Sequence, residues 1–246
     1  MLIGGMQKFT SLDYPEKIAA TIFTVGCNFR CPYCHNGEIV EVDSAGMGEF
    51  GSENVIIVED EVLRFLESRI GELDGVCVTG GEPTLQKDLA EFMKKVKKMG
   101  FMVKLDTNGS NPDIIAGLIK ENLVDYFAID IKTAFSKYRL LGAGPKQAEN
   151  VLESVDMITK SKAELELRTT MVPGIVSLLD FDEITEKINA KNGEILPSLC
   201  RYALQPFRPQ KCLKKEFEQV EPYAPVILEE AAFKLKKYCW KVNILS

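Results

Sequence analysis

Residues 25–37 read VGCNFRCPYCHNG and hold three of the chain's seven cysteines together with its one histidine. Thiolates and imidazole are ligands for soft metals, so the spacing C-x3-C-x2-C-H points first to metal or redox chemistry. Three readings compete. Buried free thiols are the plain one, but cysteines this close, interleaved with Gly26, Asn28 and Pro32, do not make a core strand. Structural zinc accepts a Cys3His set, yet its ligands usually come as two spaced pairs, and His35 directly abuts Cys34. An iron–sulfur cluster held by Cys27, Cys31 and Cys34 is the reading these residues favour. Clusters normally take four thiolates, and no other cysteine is near in sequence, so one iron would stay open to another ligand. Cys77, Cys200, Cys212 and Cys239 form no second set of recognisable spacing.

Bulk composition removes several other functions. The 246 residues carry 36 acidic and 30 basic side chains, a net charge of −6 and an isoelectric point near 5.1. With no basic stripe or tail, nucleic-acid binding is not expected. The start, MLIGGMQKFTSLDYPEK, lacks a basic segment leading into a continuous apolar one, and no apolar run reaches the ~18 residues of a membrane span. A cytoplasmic protein with no membrane partner is expected. In that reducing compartment the cysteines do not imply disulfides.

The loop must be positioned by something, and the pattern around it is regular. Apolar runs at 17–25, 75–80, 101–107, 124–132, 163–172 and 201–207 read as strands. Between them lie amphipathic segments: 58–70, 86–99, a helix opening at Asn111-Pro112, 146–161, one opening at Asp180, and 224–238. In the second, Leu89, Phe92, Met93, Val96 and Met99 share a face, and Gly100 stands where a helix-ending glycine belongs. In the third, Ile114, Ile115, Leu118 and Ile119 are expected inward, and Asp180 with Glu183 resembles a capping box. Strand followed by helix, six times over, predicts an α/β fold with a parallel sheet, because each parallel return needs a crossover. A closed eight-unit barrel takes ~250 residues. Six units, an insert and a tail predict instead an open, partial (β/α)6 barrel. One domain, 1–246, is expected, with a core at about 17–210 and a C-terminal helix and edge strand within 224–246. Residues 43–54, DSAGMGEFGSEN, predict a loop. The cysteine loop follows the first expected strand, at the end where parallel α/β folds build their sites.

These residues carry a family resemblance. C-x3-C-x2-C after the first strand, with Tyr33 before the third cysteine, resembles the signature of the radical S-adenosylmethionine enzymes. GGEP (Gly80 to Pro83) follows the second strand and resembles that superfamily's methionine-binding motif. Read alone, it is a glycine turn into the next helix. The resemblance implies a [4Fe-4S] cluster on the three cysteines, with S-adenosylmethionine chelating the open iron and cleaved reductively to methionine and a 5′-deoxyadenosyl radical. Glycines suit such a site because backbone can approach the methionine end closely. Tyr33 would flank the adenine; packing against the barrel rim is its plain alternative.

LDTNG (105–109) and DIK (130–132) narrow the resemblance to the glycyl-radical-enzyme activating group. By that likeness Lys132 lies near the methionine carboxylate, and Asp130 and Asp106 with Thr107 surround a monovalent cation or the ribose. Asp130 and Lys132 then hold the catalytic positions, and Cys34, His35, Gly80, Gly81, Glu82, Ile131, Arg168 and Arg208 complete the cofactor contacts. Two neighbouring carboxylates need a cation or a shared proton, unless they are simply solvated strand ends. Arg168 is either a second carboxylate partner or an outer salt bridge. Residues 4–36 are similar throughout to activating proteins of anaerobic ribonucleoside-triphosphate reductases. Pyruvate formate-lyase activases carry a histidine after the sixth strand's proline-aromatic pair, where this chain has Arg208. The implied partners are a glycyl radical enzyme, docking at 43–54, and a low-potential electron donor such as flavodoxin or ferredoxin. A pyruvate formate-lyase-type activating enzyme, a radical enzyme acting on a small molecule and, last, a zinc module are the rival readings; an open six-unit barrel suits a protein substrate better.

Overall fold

The computed structural model describes residues 1–40, 56–192, 200–239 and 241–245; the expected docking loop at 43–54 lies outside them. The strands are β1 Ile3–Thr10, β2 Ala19–Thr24, β3 Gly75–Gly80, β4 Met102–Thr107, β5 Tyr126–Asp130, β6 Glu164–Met171, β7 Cys200–Pro206 and β8 Lys241–Ile244. They form one sheet in chain order. β1 runs antiparallel to β2, and every later neighbour pair is parallel. Six strand–helix units with β8 at the far edge match the expected open barrel. β1 was not expected from the sequence, because Gly4 and Gly5 dilute its apolar alternation. Its tie is long-range, through antiparallel pairs such as Met6 with Ile22.

The helices are α1 Gly37–Val40, α2 Glu59–Glu67, α3 Leu89–Lys98, α4 Pro112–Lys120, α5 Pro145–Thr159, α6 Asp180–Asn192 and α7 Pro225–Leu235. α3 buries Leu89, Phe92, Met93 and Val96, and Gly100 takes φ +94° just past its end. In α4, Ile115 and Leu118 are buried while Ile114 is 44% exposed, so the apolar face is narrower than expected. The anticipated capping box of α6 is replaced by a tertiary contact: Glu183 accepts from the Ser136 amide at 2.9 Å. No helix among the described residues is long and apolar enough to cross a membrane.

The large hydrophobic core lies between sheet and helices and takes alternate strand residues, such as Val103 and Leu105, Phe127 and Ile129, Leu165 and Leu167. The intervening positions therefore face the barrel interior. At its N-terminal end that interior is plugged by a separate cluster of Tyr14, Ala19, Tyr126 and Ala128. The Tyr14 and Tyr126 rings lie 5.8 Å apart. Higher up, the inward positions are Lys104, Asp106, Asp130 and Arg168, which charge the interior just below the strand ends. Replacing Tyr14, 3% exposed, by Ala should destabilise the fold by about 3–5 kcal/mol through an unfilled plug, measured by denaturant unfolding.

Candidate active site

Three loops meet over the C-terminal ends of β2, β3 and β4. The Gly81 amide donates to the Thr24 carbonyl at 2.8 Å and the Glu82 amide to the Gly26 carbonyl at 2.8 Å, so GGEP docks backbone to backbone on the cysteine loop. A Cβ on Gly81 would lie 2.0 Å from the Gly26 oxygen, and Gly80 has φ +119°; neither position tolerates a side chain. Asn28 donates to Ser110 Oγ at 2.8 Å and accepts from Asn108 at 2.8 Å, which ties the cysteine loop to the loop after β4. The fourth side comes from the chain after β7. Leu213 and Lys214 amides donate to the Cys34 and Pro32 carbonyls at 2.9 and 2.8 Å.

Glu82 joins these loops from beneath. Its fully buried carboxylate accepts from the Thr84 amide and hydroxyl, from Thr107 Oγ1 at 2.6 Å and from the Asn108 amide at 2.7 Å. Burial raises its pKa, and those donors oppose the rise. The side chain expected to touch cofactor is thus committed to holding two loops together.

Between the loops lies a cavity of about 160 Å³. The sequence-expected residues it gathers are Cys27, Cys31, Tyr33, Cys34, Gly80, Gly81, Asp106, Thr107, Asp130 and Lys132. Asn36, Thr79 and Asn108 line it too and were missed, since each is an ordinary polar residue beside a motif. Five expected residues do not line it: Glu82, His35, Ile131, Arg168 and Arg208. Ile131 is a fully buried core residue. His35 reaches away to the Arg208 carbonyl at 2.7 Å and stacks on Phe207, while the Arg208 side chain is exposed. A larger hollow of about 420 Å³ lies before β5 and β6, among residues such as Ile119 and Lys162. It holds no cysteine and sits at the opposite strand ends, so the smaller cavity is the candidate.

Below the cavity runs a chain of alternating charges. Arg168 donates from Nη1 to Asp106 and from Nε to Asp130, both at 3.0 Å. Lys132 closes on Asp130 at 3.0 Å, and Lys104, 1% exposed, closes on Asp106. Burial would raise the Asp130 carboxyl, but Arg168 and Lys132 overcome it and hold the group at about 2. Asp106 is lowered against the same penalty by Arg168 and Lys104. Asp130 holds Lys132 firmly protonated despite its burial. The expected counter-cation for the two carboxylates is therefore supplied by the protein's own side chains. Arg168 is neither an outer salt bridge nor a cavity residue; it is the interior link. Lys104 was missed, although its place two residues before Asp106 on one strand puts both on the inner face.

The thiols face this positive floor. Burial pushes Cys31 up to about 12 and raises Cys27, and the Lys132 ammonium pulls both back. The Phe29 amide donates to Cys27 Sγ at 3.4 Å. Among the described residues no three His, Cys, Asp or Glu side chains converge on a point as ligands of a single ion would. Cys27, Cys31 and Cys34 all line the one cavity. Three thiols on one cavity, an amide aimed at sulfur and an unshared ammonium edge fit an anionic thiolate-ligated cluster with a carboxylate-bearing cofactor beside it. Cys212, buried near Cys34, was also missed, because 178 positions separate the two residues in sequence. Cys77 lies inside the barrel, 3.9 Å from Lys104 Nζ.

Residues 21–188 match the family described as the Radical SAM superfamily. Over 248 aligned residues the chain is 34% identical to a protein of Methanocaldococcus jannaschii assigned as a glycyl-radical enzyme activating enzyme, spanning 99% of this chain and 95% of that one. It is 27% identical over 229 residues to a protein of Pyrococcus abyssi assigned as a GTP 3′,8-cyclase, spanning 89% and 70%. Among solved structures, Streptococcus suis SuiB bound to S-adenosylmethionine shares the fold, with a TM-score of 0.65 at 11% identity. That match covers 90% of this chain and 48% of SuiB, so the chain spans about half of SuiB's length.

Two substitutions test the site's construction. Arg168→Met removes one charged hydrogen bond from each of two buried carboxylates, leaving each a single lysine, and should cost about 3 kcal/mol in urea unfolding at pH 7. The lowered carboxylates stabilise the native protein above about pH 4, and that contribution is lost as pH falls towards 2. The penalty of the Met variant should accordingly shrink on acidification. Glu82→Gln puts an N–H against donors and should cost about 1–3 kcal/mol in the same assay.

Proposed function

The chain belongs to the radical SAM superfamily, an enzyme family that uses a [4Fe-4S] cluster and S-adenosylmethionine, and from that premise we propose that it activates a glycyl radical enzyme. The observation that carries this reading is the docking of the cysteine loop and GGEP around one cavity floored by Lys132. Similarity to an activating protein across 99% of the chain supports it. Likeness of residues 4–36 to ribonucleotide reductase activases makes anaerobic ribonucleoside-triphosphate reductase the proposed partner.

When bound, cluster and cofactor supply one-electron cleavage of a sulfonium to methionine and a 5′-deoxyadenosyl radical. Cys27, Cys31 and Cys34 hold the cluster. Backbone at Gly80 and Gly81 would receive the methionine ammonium, and Lys132 would pair with its carboxylate. Asp130, kept ionised by Arg168, fixes the Lys132 side chain. Asp106 and Thr107 would face the ribose, and Tyr33, which packs edge-on against Phe207, would border the adenine. The hydrogen donor would be a backbone glycine of the partner, which would have to enter this cavity to near-contact distance. A low-potential flavodoxin or ferredoxin is the proposed donor. The likeness to GTP 3′,8-cyclases favours a second reading, a radical enzyme acting on a small molecule.

Anaerobic purification should give a brown protein with about four irons and four sulfides per chain. Under dithionite it should convert S-adenosylmethionine to methionine and 5′-deoxyadenosine. With a candidate reductase present, a doublet electron-resonance signal of a glycyl radical should appear; turnover of a small molecule without that doublet would select the second reading. Lys132→Ala should weaken cofactor binding about tenfold or more, read by equilibrium binding, with iron content unchanged. Cys212→Ala should leave four irons in place, whereas Cys34→Ala should not.

A further inference from the structure

Three segments meet at the cysteine loop, and their composition runs against that of the whole chain. Residues 25–37, 131–148 and 207–215 hold one, four and four Lys or Arg and no Asp or Glu, in a chain with 36 acidic residues and a net charge of −6. Each run is closed by a glutamate: Glu38, Glu149 and Glu216. Taken singly, none reads as a basic stripe. The fold joins them. On one flank the Arg30 amide donates to the Leu141 carbonyl at 2.7 Å, and a Cβ on Gly142 would sit 3.1 Å from the Arg30 Cβ. On the other, the Lys214 amide donates to the Pro32 carbonyl at 2.8 Å, and the His35 ring meets the Arg208 carbonyl at 2.7 Å.

These contacts fall on the loop residues that turn away from the cavity. Phe29, Cys31, Tyr33 and Cys34 line it, whereas Arg30, Pro32 and His35 do not. One loop thus presents its thiols to the cavity and carries the basic segments on its outer side. Of the nine cations, Lys132 lines the cavity and Lys137 pairs with Asp180 at 2.7 Å. The other seven are exposed. Arg30 folds back on its own loop, Nη1 donating to the Cys27 carbonyl at 2.6 Å and the Phe29 carbonyl at 2.9 Å. Arg139, Lys146, Arg208, Lys211, Lys214 and Lys215 make no ion pair with a described residue. Leu140, 44% exposed, adds apolar surface beside Arg139.

We propose that this basic flank is the docking surface for an acidic one-electron carrier protein, which delivers the electron that sulfonium cleavage consumes. The proposal rests on the reading of the cavity as a cluster site and assigns the surface through which that cluster is reduced. Each transfer oxidises the carrier and reduces the cluster by one electron, with no group passed between them. Charge and place select this occupant. The net negative charge of the chain repels an acidic partner, so a local positive patch both steers it and fixes where it lands. A redox group seated against Arg30 is one loop thickness from the sulfurs, because Arg30 precedes Cys31 and holds the Cys27 carbonyl. The carrier need not enter the cavity. Its mouth stays open for the cofactor and for a protein substrate whose glycine has to go in.

The test uses two charge reversals on the flank, Arg139→Glu with Lys146→Glu and Lys214→Glu with Lys215→Glu. Lys160→Glu with Lys162→Glu, at the opposite strand ends, makes the same change in net charge and is the control. Loaded anaerobically, all should match the wild type in iron and sulfide, and in S-adenosylmethionine cleavage under dithionite, a small reductant that needs no docking surface. The probe is an acidic flavodoxin. Its affinity, measured by calorimetry at low salt, should fall about tenfold in each flank variant and hold in the control, and cleavage driven by reduced flavodoxin should fall with it. Added salt should bring the wild type towards the flank variants. Unchanged affinity in both flank variants at equal loading overturns the proposal. So does an equal loss in the control, which would make the effect one of net charge. Loss of glycyl radical formation under dithionite, with flavodoxin binding intact, would give the flank to the protein substrate and overturn it as well. A wild type without iron and sulfide would defeat the cluster reading itself, and this proposal with it.

Discussion

Arg168 sits between two carboxylates inside a barrel, and much of the site follows from where that guanidinium is placed. It spans two strand ends: Asp130 is its in-register neighbour on β5, and Asp106 lies one strand further on β4. A planar fork suits this double duty in a way that an ammonium does not. Burying charge is costly unless each partner is satisfied, and here the row continues outward to Lys104 and Lys132, so both carboxylates have two cations. The arrangement is affordable because the fold's hydrophobic burial lies elsewhere, between the sheet and its helices. The interior is left to carry polar function.

Three cations against two carboxylates leave the row with a net positive charge, and it underlies three thiols. That sign matters for a site whose loaded form is built from thiolates. Lys132 is the end of the row that reaches the cavity; Lys104 is the end sealed below it. The loops above are held by different means, through backbone contacts that exclude any side chain at Gly81 and through the buried carboxylate of Glu82. Electrostatics set what the cavity attracts, and backbone docking sets its shape.

What the sequence revealed of this site was what lies close together in the chain. Cys27, Cys31 and Cys34 share one loop, and GGEP, DTNG and DIK each end a strand, so alternation and strand order were enough to bring them to one face. The six parallel units were legible for the same reason. What escaped was set by tertiary contact. β1 is held by pairing across a turn, despite its glycines. Cys212 reaches Cys34 only because the chain after β7 folds back over the cysteine loop. Glu82 and His35 sit within motifs, which suggested cofactor contact, yet both side chains turn away to fasten loops; spacing cannot distinguish a ligand from the strut behind it. Arg168 was visible as a candidate, but whether it faced out or in depended on register.

The turn after DIK illustrates how far a motif's influence extends beyond its letters. Lys132 ends the motif, but its surroundings are completed by Tyr138 and by the clamp of Leu141 on Arg30. The same clamp makes the cysteine loop rigid from the side opposite GGEP. Backbone contacts on both flanks, from GGEP and from Leu141, thus position the cysteine loop before any ligand arrives. The Phe29 amide, already aimed at Cys27 Sγ, then acts on the loaded state at little reorganisation cost.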